Sequence, residues 1–318
     1  MWWMAALFAC VASGPEDSAD STASTESTPV APRQVPPPAV IETWPTRLVA
    51  IGDLHGDYRA TKKVLKLAGV IDNNQNWIGG TTVVVQTGDQ LDRGDGEEKI
   101  LELFESLGEQ AHAAGGAFYS LLGNHEVMNV ELDLRYVTPE GFADFADTPY
   151  DASDPEILSY PEDERGRVAA FRPGGEWATL LADHNVVMQI DDVVFVHGGI
   201  LPNHANHGLN KINNETRRWM RGTTPLFPTI MDGDQAPIWT RAYSDDDVEP
   251  DCDTLTEALD ALGANQMVVG HTVWDTINPA CDGRVWRIDV GMAEYYGGSP
   301  QALLFEGKDG QILTDSAR

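Results

Sequence analysis

Ile51-Gly52-Asp53-Leu54-His55-Gly56-Asp57 is the stretch around which the chain is organised. Leu48-Val49-Ala50-Ile51 leads into it, an apolar run that stops at Gly52 and reads as a buried strand. Asp53 and His55 follow two positions apart, just past the strand's C-terminal end. Alternate residues of an extended chain point the same way. A carboxylate and an imidazole that face one point suit a divalent transition metal. Such a pair also occurs in plain turns, so its weight depends on what recurs downstream.

The pattern does recur. Thr81-Thr82-Val83-Val84-Val85-Gln86-Thr87 runs into Gly88-Asp89-Gln90-Leu91-Asp92-Arg93-Gly94-Asp95. Ala117-Phe118-Tyr119-Ser120-Leu121-Leu122 ends at Gly123-Asn124-His125-Glu126. Val193-Val194-Phe195-Val196 ends at His197-Gly198-Gly199, and Met267-Val268-Val269 ends at Gly270-His271. Ligand-type groups at the ends of neighbouring strands form one site, because open α/β sheets bind their ligands there. Four of the eight histidines (His55, His125, His197 and His271) follow such runs. His112, His184, His204 and His207 lack that context and read as surface or packing residues.

The remaining pattern is that of an α/β fold. Apolar spacing predicts helices over Tyr58 to Leu67, closed by Gly69, and over Glu97 to Ala114. Val285 to Gly291 and Gln301 to Phe305 read as closing strands, the last paired to Gln311-Ile312-Leu313 across Gly307-Lys308-Asp309-Gly310. Between Val127 and Ala182 prolines and acids blur the periodicity. That region reads either as a cap or rim over the site or as a surface insertion without a part in the chemistry.

The chain has 318 residues and a formal charge of −29, from 50 acidic and 21 basic side chains. Such a surface repels nucleic acid and anionic lipid. A site for phosphate therefore needs local positive charge from metals and arginines. The acidic loop Asp245-Asp246-Asp247 with Glu249, Asp251 and Asp253 lacks the glycine of a calcium-binding EF-hand and reads as solvated.

Residues 1–11 resemble the core of a signal peptide, and Leu7-Phe8-Ala9-Cys10 resembles a bacterial lipobox. The expectation is an exported lipoprotein, anchored through lipidated Cys10 and facing the periplasm or cell exterior. Residues 12–43, rich in Ser, Thr, Pro and acids, read as a disordered tether. The folded part is expected over 44–318. In an exported protein Cys252 and Cys281 could pair, although the sequence alone does not place them together.

Taken in order, the five blocks resemble the calcineurin-like metallophosphoesterase superfamily. Asp92-Arg93-Gly94 and His197-Gly198-Gly199-Ile200-Leu201-Pro202 resemble its phosphoprotein phosphatase branch. The layout, with Pro237-Ile238-Trp239-Thr240-Arg241, is similar to the Shewanella-like protein phosphatases. The resemblance implies a sandwich of two mixed sheets flanked by helices, with a dinuclear metal site at the strand ends. It implies that Asp53 and His55 hold one metal, that Asp89 bridges both, and that Asn124, His197 and His271 complete the second.

The implied activity is hydrolysis of phosphate monoesters on phosphoproteins, at phosphotyrosine, phosphoserine or phosphothreonine. Two divalent ions (manganese, iron or zinc) roughly 3.5–4 Å apart would offset the phosphate charge and activate a bridging hydroxide for in-line attack. His125, held by Asp92, is the general-acid candidate, because the leaving oxygen needs a proton. Arg93 and Arg241 are the candidates for binding the phosphate oxygens. Two other readings compete. One is hydrolysis of dinucleoside polyphosphates. The other is a non-catalytic metal-binding module, which a missing ligand would have favoured.

Overall fold

The computed structural model describes Met1 and residues 36–315. The signal-like segment with Cys10, and the tether as far as residue 35, lie outside the described residues. The tether does not continue to residue 43. Val40–Ile41 forms a strand, β1, and Ala39 is buried. Asn185 Nδ2 donates to the carbonyls of Pro37 and Pro38 at 3.1 and 3.3 Å. Two apolar residues among prolines are too few to register as a strand, and they become one only by adding to an existing sheet edge.

β2 (Leu48–Ile51), α1 (Tyr58–Leu67), β3 (Val83–Gln86), α2 (Glu97–Ala113) and β4 (Ala117–Ser120) follow as alternating strands and helices. Asp57 caps α1 by accepting the Ala60 N–H at 2.8 Å. Five short helices come next: α3 (Asn124–Val130), α4 (Pro139–Ala143), α5 (Pro155–Leu158), α6 (Arg165–Phe171) and α7 (Glu176–Leu181). β5 (Val187–Ile190) and β6 (Val193–Val196) lead to α8 (Pro202–His207), α9 (Leu209–Met220) and α10 (Cys252–Leu262). β7 (Gln266–Val269), β8 (Asn278–Ala280), β9 (Val285–Arg287), β10 (Gln301–Phe305) and β11 (Gly310–Thr314) complete the order.

The strands form two mixed sheets, ordered β1-β5-β6-β7-β9-β8 and β11-β10-β2-β3-β4. β2, β3 and β4 run parallel in matched register, with Ile51 beside Gln86 and Gln86 beside Ser120. Their C-terminal ends, with the residues that follow, are therefore aligned. β6 and β7 are also parallel neighbours, with Phe195 beside Val268, which aligns His197 with Gly270-His271.

Period-two alternation stacks the sheets. Val193, Phe195 and Val268 pack into a core shared with Val49, Ala50, Val85 and Leu303 of the other sheet. Val194, Val196, Met267 and Val269 point the opposite way, into a second core with α6, α7, α9 and α10. Full burial of each such side chain contributes roughly 1.5–3 kcal/mol.

The region between Val127 and Ala182 is not a loose surface insertion. Val127 and Val130 belong to α3, and Phe145, Ala170, Phe171, Ala178 and Leu181 sit in the second core. Its segments are short, so no single helix shows a full apolar stripe. Cys252, at the start of α10, is bonded to Cys281 beyond β8, with 5.4 Å between the Cα atoms.

Candidate metal centre

Every site residue read from the sequence comes to one place, from both sheets. Asp53 and His55 follow β2, Asp89 and Asp92 follow β3, and Asn124 and His125 open α3 beyond β4. His197 follows β6 and His271 follows β7. Asp53, His55, Asp89, Asn124, His125 and His197 are all almost fully buried, with His271 at 9% exposure.

The loops reach this geometry by unusual backbone conformations. His55, Asp89, Asp92, Arg93 and His271 all have positive φ, between 44° and 68°. Left-handed backbone in residues with a Cβ is costly, and it concentrates at functional sites. Glu126 holds two of the loops together. Its buried carboxylate accepts the N–H groups of Asp89, Gln90, Leu91 and Gly123 at 2.7–3.1 Å. Gly123 has to be glycine, because a Cβ there would lie 2.1 Å from Asp89 Oδ1.

The histidine tautomers show what the site accepts. His197 Nδ1 lies 3.0 Å from the Thr87 carbonyl, and His271 Nε2 lies 3.1 Å from that of Trp239. A carbonyl only accepts, so each of those nitrogens carries its proton. The opposite nitrogens, His197 Nε2 and His271 Nδ1, are then bare lone pairs that face each other at 3.2 Å. Asn124 Oδ1 lies 2.9 Å and Asp89 Oδ2 3.3 Å from the same His197 Nε2.

With neutral imidazoles these are four acceptors converging on one point, which fits a cation. Carbonyls behind metal-binding imidazoles are the usual device for fixing their tautomer. His55 follows the same plan: Nδ1 faces the Leu91 carbonyl at 3.2 Å, and Nε2 lies 3.7 Å from Asp89 Oδ2.

The donor atoms form two groups that share Asp89: His55, Asp89 and His125, and Asp89, His197 and His271. Asp89 thus stands between the two positions. Asp53 stands beside them. It accepts the His271 N–H at 3.1 Å and hydrogen-bonds to the buried Asp289. Burial holds the Asp53 carboxyl well above its usual range, and the Asp289 and Asp89 charges add to this. Two buried carboxyls in hydrogen-bonding contact share a proton or lie against a cation.

Burial also opposes the charge on Asp89, yet positive charge at the surrounding imidazole positions, His197 first and then His125, outweighs it and holds the carboxyl well below its usual range, the same demand for a cation beside Asp89. Burial lowers His55 to about 3, so it remains a lone-pair donor at neutral pH. His271 is likewise lowered, by burial and by His197.

His125 lies in the first of those groups, but its second ring nitrogen faces a carboxylate where the other three histidines face carbonyls. Its Nδ1 lies 2.5 Å from Asp92 Oδ2, and its Nε2 lies 3.9 Å from Asp89 Oδ2. Burial lowers its pKa, but Asp89 and the bond from Asp92 raise it more, so the net shift is upward. Arg93 lies beside His55, with Nη1 at 3.3 Å from Nε2, and the rings of Tyr136, Tyr296 and Tyr295 surround its guanidinium at 4.9, 5.3 and 5.5 Å. Arg241 donates from Nη1 to the His271 carbonyl at 2.9 Å and to Thr272 Oγ1 at 2.5 Å. It borders the site rather than pairing with the acidic loop.

Comparison with known proteins agrees with this geometry. Residues 46–275 match the family model described as calcineurin-like phosphoesterase. The chain is 40% identical over 282 residues to Shewanella-like protein phosphatase 2 of Arabidopsis thaliana, covering 79% of this chain and 72% of that protein. The chain belongs to the calcineurin-like phosphoesterases. This phosphoesterase is a phosphatase, similar also to Shewanella-like protein phosphatase 1 of Plasmodium berghei, at 28% identity over 79% of this chain and 68% of that one. Its fold matches a cold-active protein tyrosine phosphatase from a psychrophile Shewanella species. That match has a TM-score of 0.68 and 25% identity, and it covers 87% of this chain and 82% of that chain.

Three features of the phosphatase site were not read from the sequence. Glu126 reads in the sequence only as a ligand-type residue after a strand. Asp289 ends an apolar run before Gly291, and the same run-then-Asp signal would have flagged it. Arg167 carries no sequence signal at all.

Cys281 and Arg287 have the Cys-x5-Arg spacing of thiol phosphatases. Cys281 is in the disulfide and Arg287 stacks on Trp274 at 3.9 Å, so this pair offers no free thiol for that route.

Proposed function

We propose that this phosphatase hydrolyses phosphate monoesters on proteins, with His125 as the proton donor to the leaving oxygen. Arg93 carries the reading. Its Nε is buried and has no partner among the described residues, while tyrosine rings hold the guanidinium beside the two ligand groups. A donor waiting at that place fits a phosphate oxygen, which a guanidinium binds through two parallel hydrogen bonds.

Two divalent metals, when bound by Asp53, His55, Asp89, Asn124, His197 and His271, would supply charge compensation and a water of lowered pKa. Asp89 would serve both ions. Arg93 and Arg241 would orient the phosphoryl group from opposite sides of the ligand groups. His125 would donate from Nε2, because Asp92 occupies Nδ1. The exposed rings of Tyr136, Tyr295 and Tyr296 favour phosphotyrosine, since an aryl ester can stack where a serine ester cannot. The similarity to a protein tyrosine phosphatase supports the same preference.

Phosphate release from a phosphotyrosine peptide, a phosphoserine peptide and diadenosine tetraphosphate, with manganese and with chelator, tests the reading. Chelator-sensitive release from a peptide is the expected result. Cleavage of the dinucleotide alone, or no turnover in protein holding two metals, would overturn it. Export with a lipid on Cys10 is proposed too, supported by the Cys252–Cys281 disulfide, because such bonds persist in oxidising compartments. Cys10→Ser should then move the protein out of the membrane fraction, and an unchanged distribution would refute the anchor.

A further inference from the structure

The Asp92 carboxylate that holds His125 is itself held, and part of its support comes from the segment between α3 and β5. Arg167, on α6, has no solvent exposure. Its Nε donates to Asn129 Oδ1 at 2.9 Å, and its Nη1 donates to the Gly141 carbonyl at 2.8 Å. Its fork also grips both oxygens of buried Glu97, with Nη2 at 3.0 Å from Oε1 and Nη1 on Oε2. The guanidinium packs against the edge-to-face pair Phe171 and Phe145, at 4.9 and 5.1 Å from the ring centres.

Two of these partners, Glu97 and Asn129, lead to Asp92 and its neighbours. Glu97 Oε1 accepts the Asp92 N–H, at a residue whose φ of 67° needs support. Asn129 Nδ2 donates to Asp92 Oδ1 at 3.0 Å and to the His125 carbonyl at 2.9 Å. Arg167 Nη2 lies 3.5 Å from the same Asp92 Oδ1. One carboxylate oxygen is therefore fixed from behind, which leaves Oδ2 aimed at His125.

We propose that Arg167 is a positioning residue for proton donation: through Glu97 and Asn129 it sets the orientation in which Asp92 presents Oδ2 to His125. The proposal rests on the reading of His125 as the proton donor. A residue that merely pins α6 to the body affects every substrate alike. A residue that orients the proton donor affects substrates by how much their leaving group needs the proton. p-Nitrophenolate leaves with little help, whereas phenolate, of nearly the same size, needs protonation.

The test is kcat for p-nitrophenyl phosphate and phenyl phosphate in the metal-loaded full chain, for the parent enzyme, Arg167→Met and Asn129→Leu. Metal content and circular dichroism serve as controls. Arg167→Met is expected to lose about 10²-fold in kcat on phenyl phosphate, the low end of general-acid contributions, and at most about threefold on p-nitrophenyl phosphate. Asn129→Leu, which removes the other Oδ1 contact, is expected to give the same split, and it decides alone if Arg167→Met fails to fold. Equal losses on both substrates in a folded, metal-loaded variant would overturn the proposal. A parent enzyme without chelator-sensitive turnover of either ester would sink the phosphatase reading itself, and the proposal with it.

Discussion

His125 and Asp89 are buried close together, and each favours the charged form of the other. Burial lowers the His125 pKa and the Asp89 and Asp92 carboxylates raise it more, above the ordinary 6.5, and with Asp89 holding metal the Asp92 bond is the raising contact that remains. A raised pKa keeps the proton on as the pH passes 6.5, and the proton is lost only above the raised value. Turnover should therefore hold through that range and fall on its alkaline side. Asp92→Asn removes one raising group, so the fall should move to lower pH and kcat should drop by about 10²–10⁴. A pH–rate profile of both proteins checks this, and an unmoved alkaline limb would contradict it. Asp89 touches both ligand groups. Asp89→Asn is expected to lose metal from both positions by mass spectrometry, and retention of two ions per chain would remove its bridging role. The ligands were legible in the sequence because each sits just past an apolar run, where strand geometry fixes direction. Arg167 and Asn129 were not, because helix turns and loops brought together residues far apart in the chain.

The parallel strands β2, β3 and β4 place three loops side by side, and close backbone contact brings them within reach of one another. Gly123 shows how tight that contact is. Gly123→Ala would put a Cβ 2.5 Å from the Asp89 backbone nitrogen as well as against its carboxylate. The expected cost is about 1–3 kcal/mol, read as a lower Tm, together with weakened metal binding. An unchanged Tm and metal content would show that the loop can give way. Sequence periodicity found these strands and the helices α1 and α2, whose apolar spacing is regular. It missed β1 and β8, which are two and three residues long and exist because a neighbouring strand offers an edge, and it missed β5, whose four buried residues include the polar Gln189. It also missed the packing of α4 to α7, whose lengths of four to seven residues are too short to show a period.

At the scale of the whole molecule, two sheets from distant parts of the chain must stay stacked for the site to exist, since His197 and His271 come from one and the other ligands from its partner. A chain shortened to begin at Trp44 would lose β1 and the bonds from Asn185 to Pro37 and Pro38. It should melt below a chain that begins at Pro36, and equal Tm values would return residues 36–43 to the tether. Reduction of the Cys252–Cys281 bond, across a separation of 29 residues, should cost about 2–4 kcal/mol, measured by denaturant unfolding with and without reductant.

The most direct test of a metal centre shared between the sheets is a titration of chelator-treated protein with manganese. Bound metal and phosphate release would be followed together. Two ions per chain, with turnover appearing as the sites fill, is the expected result. Full turnover in metal-free protein, or saturation at one ion per chain with full activity, would contradict it.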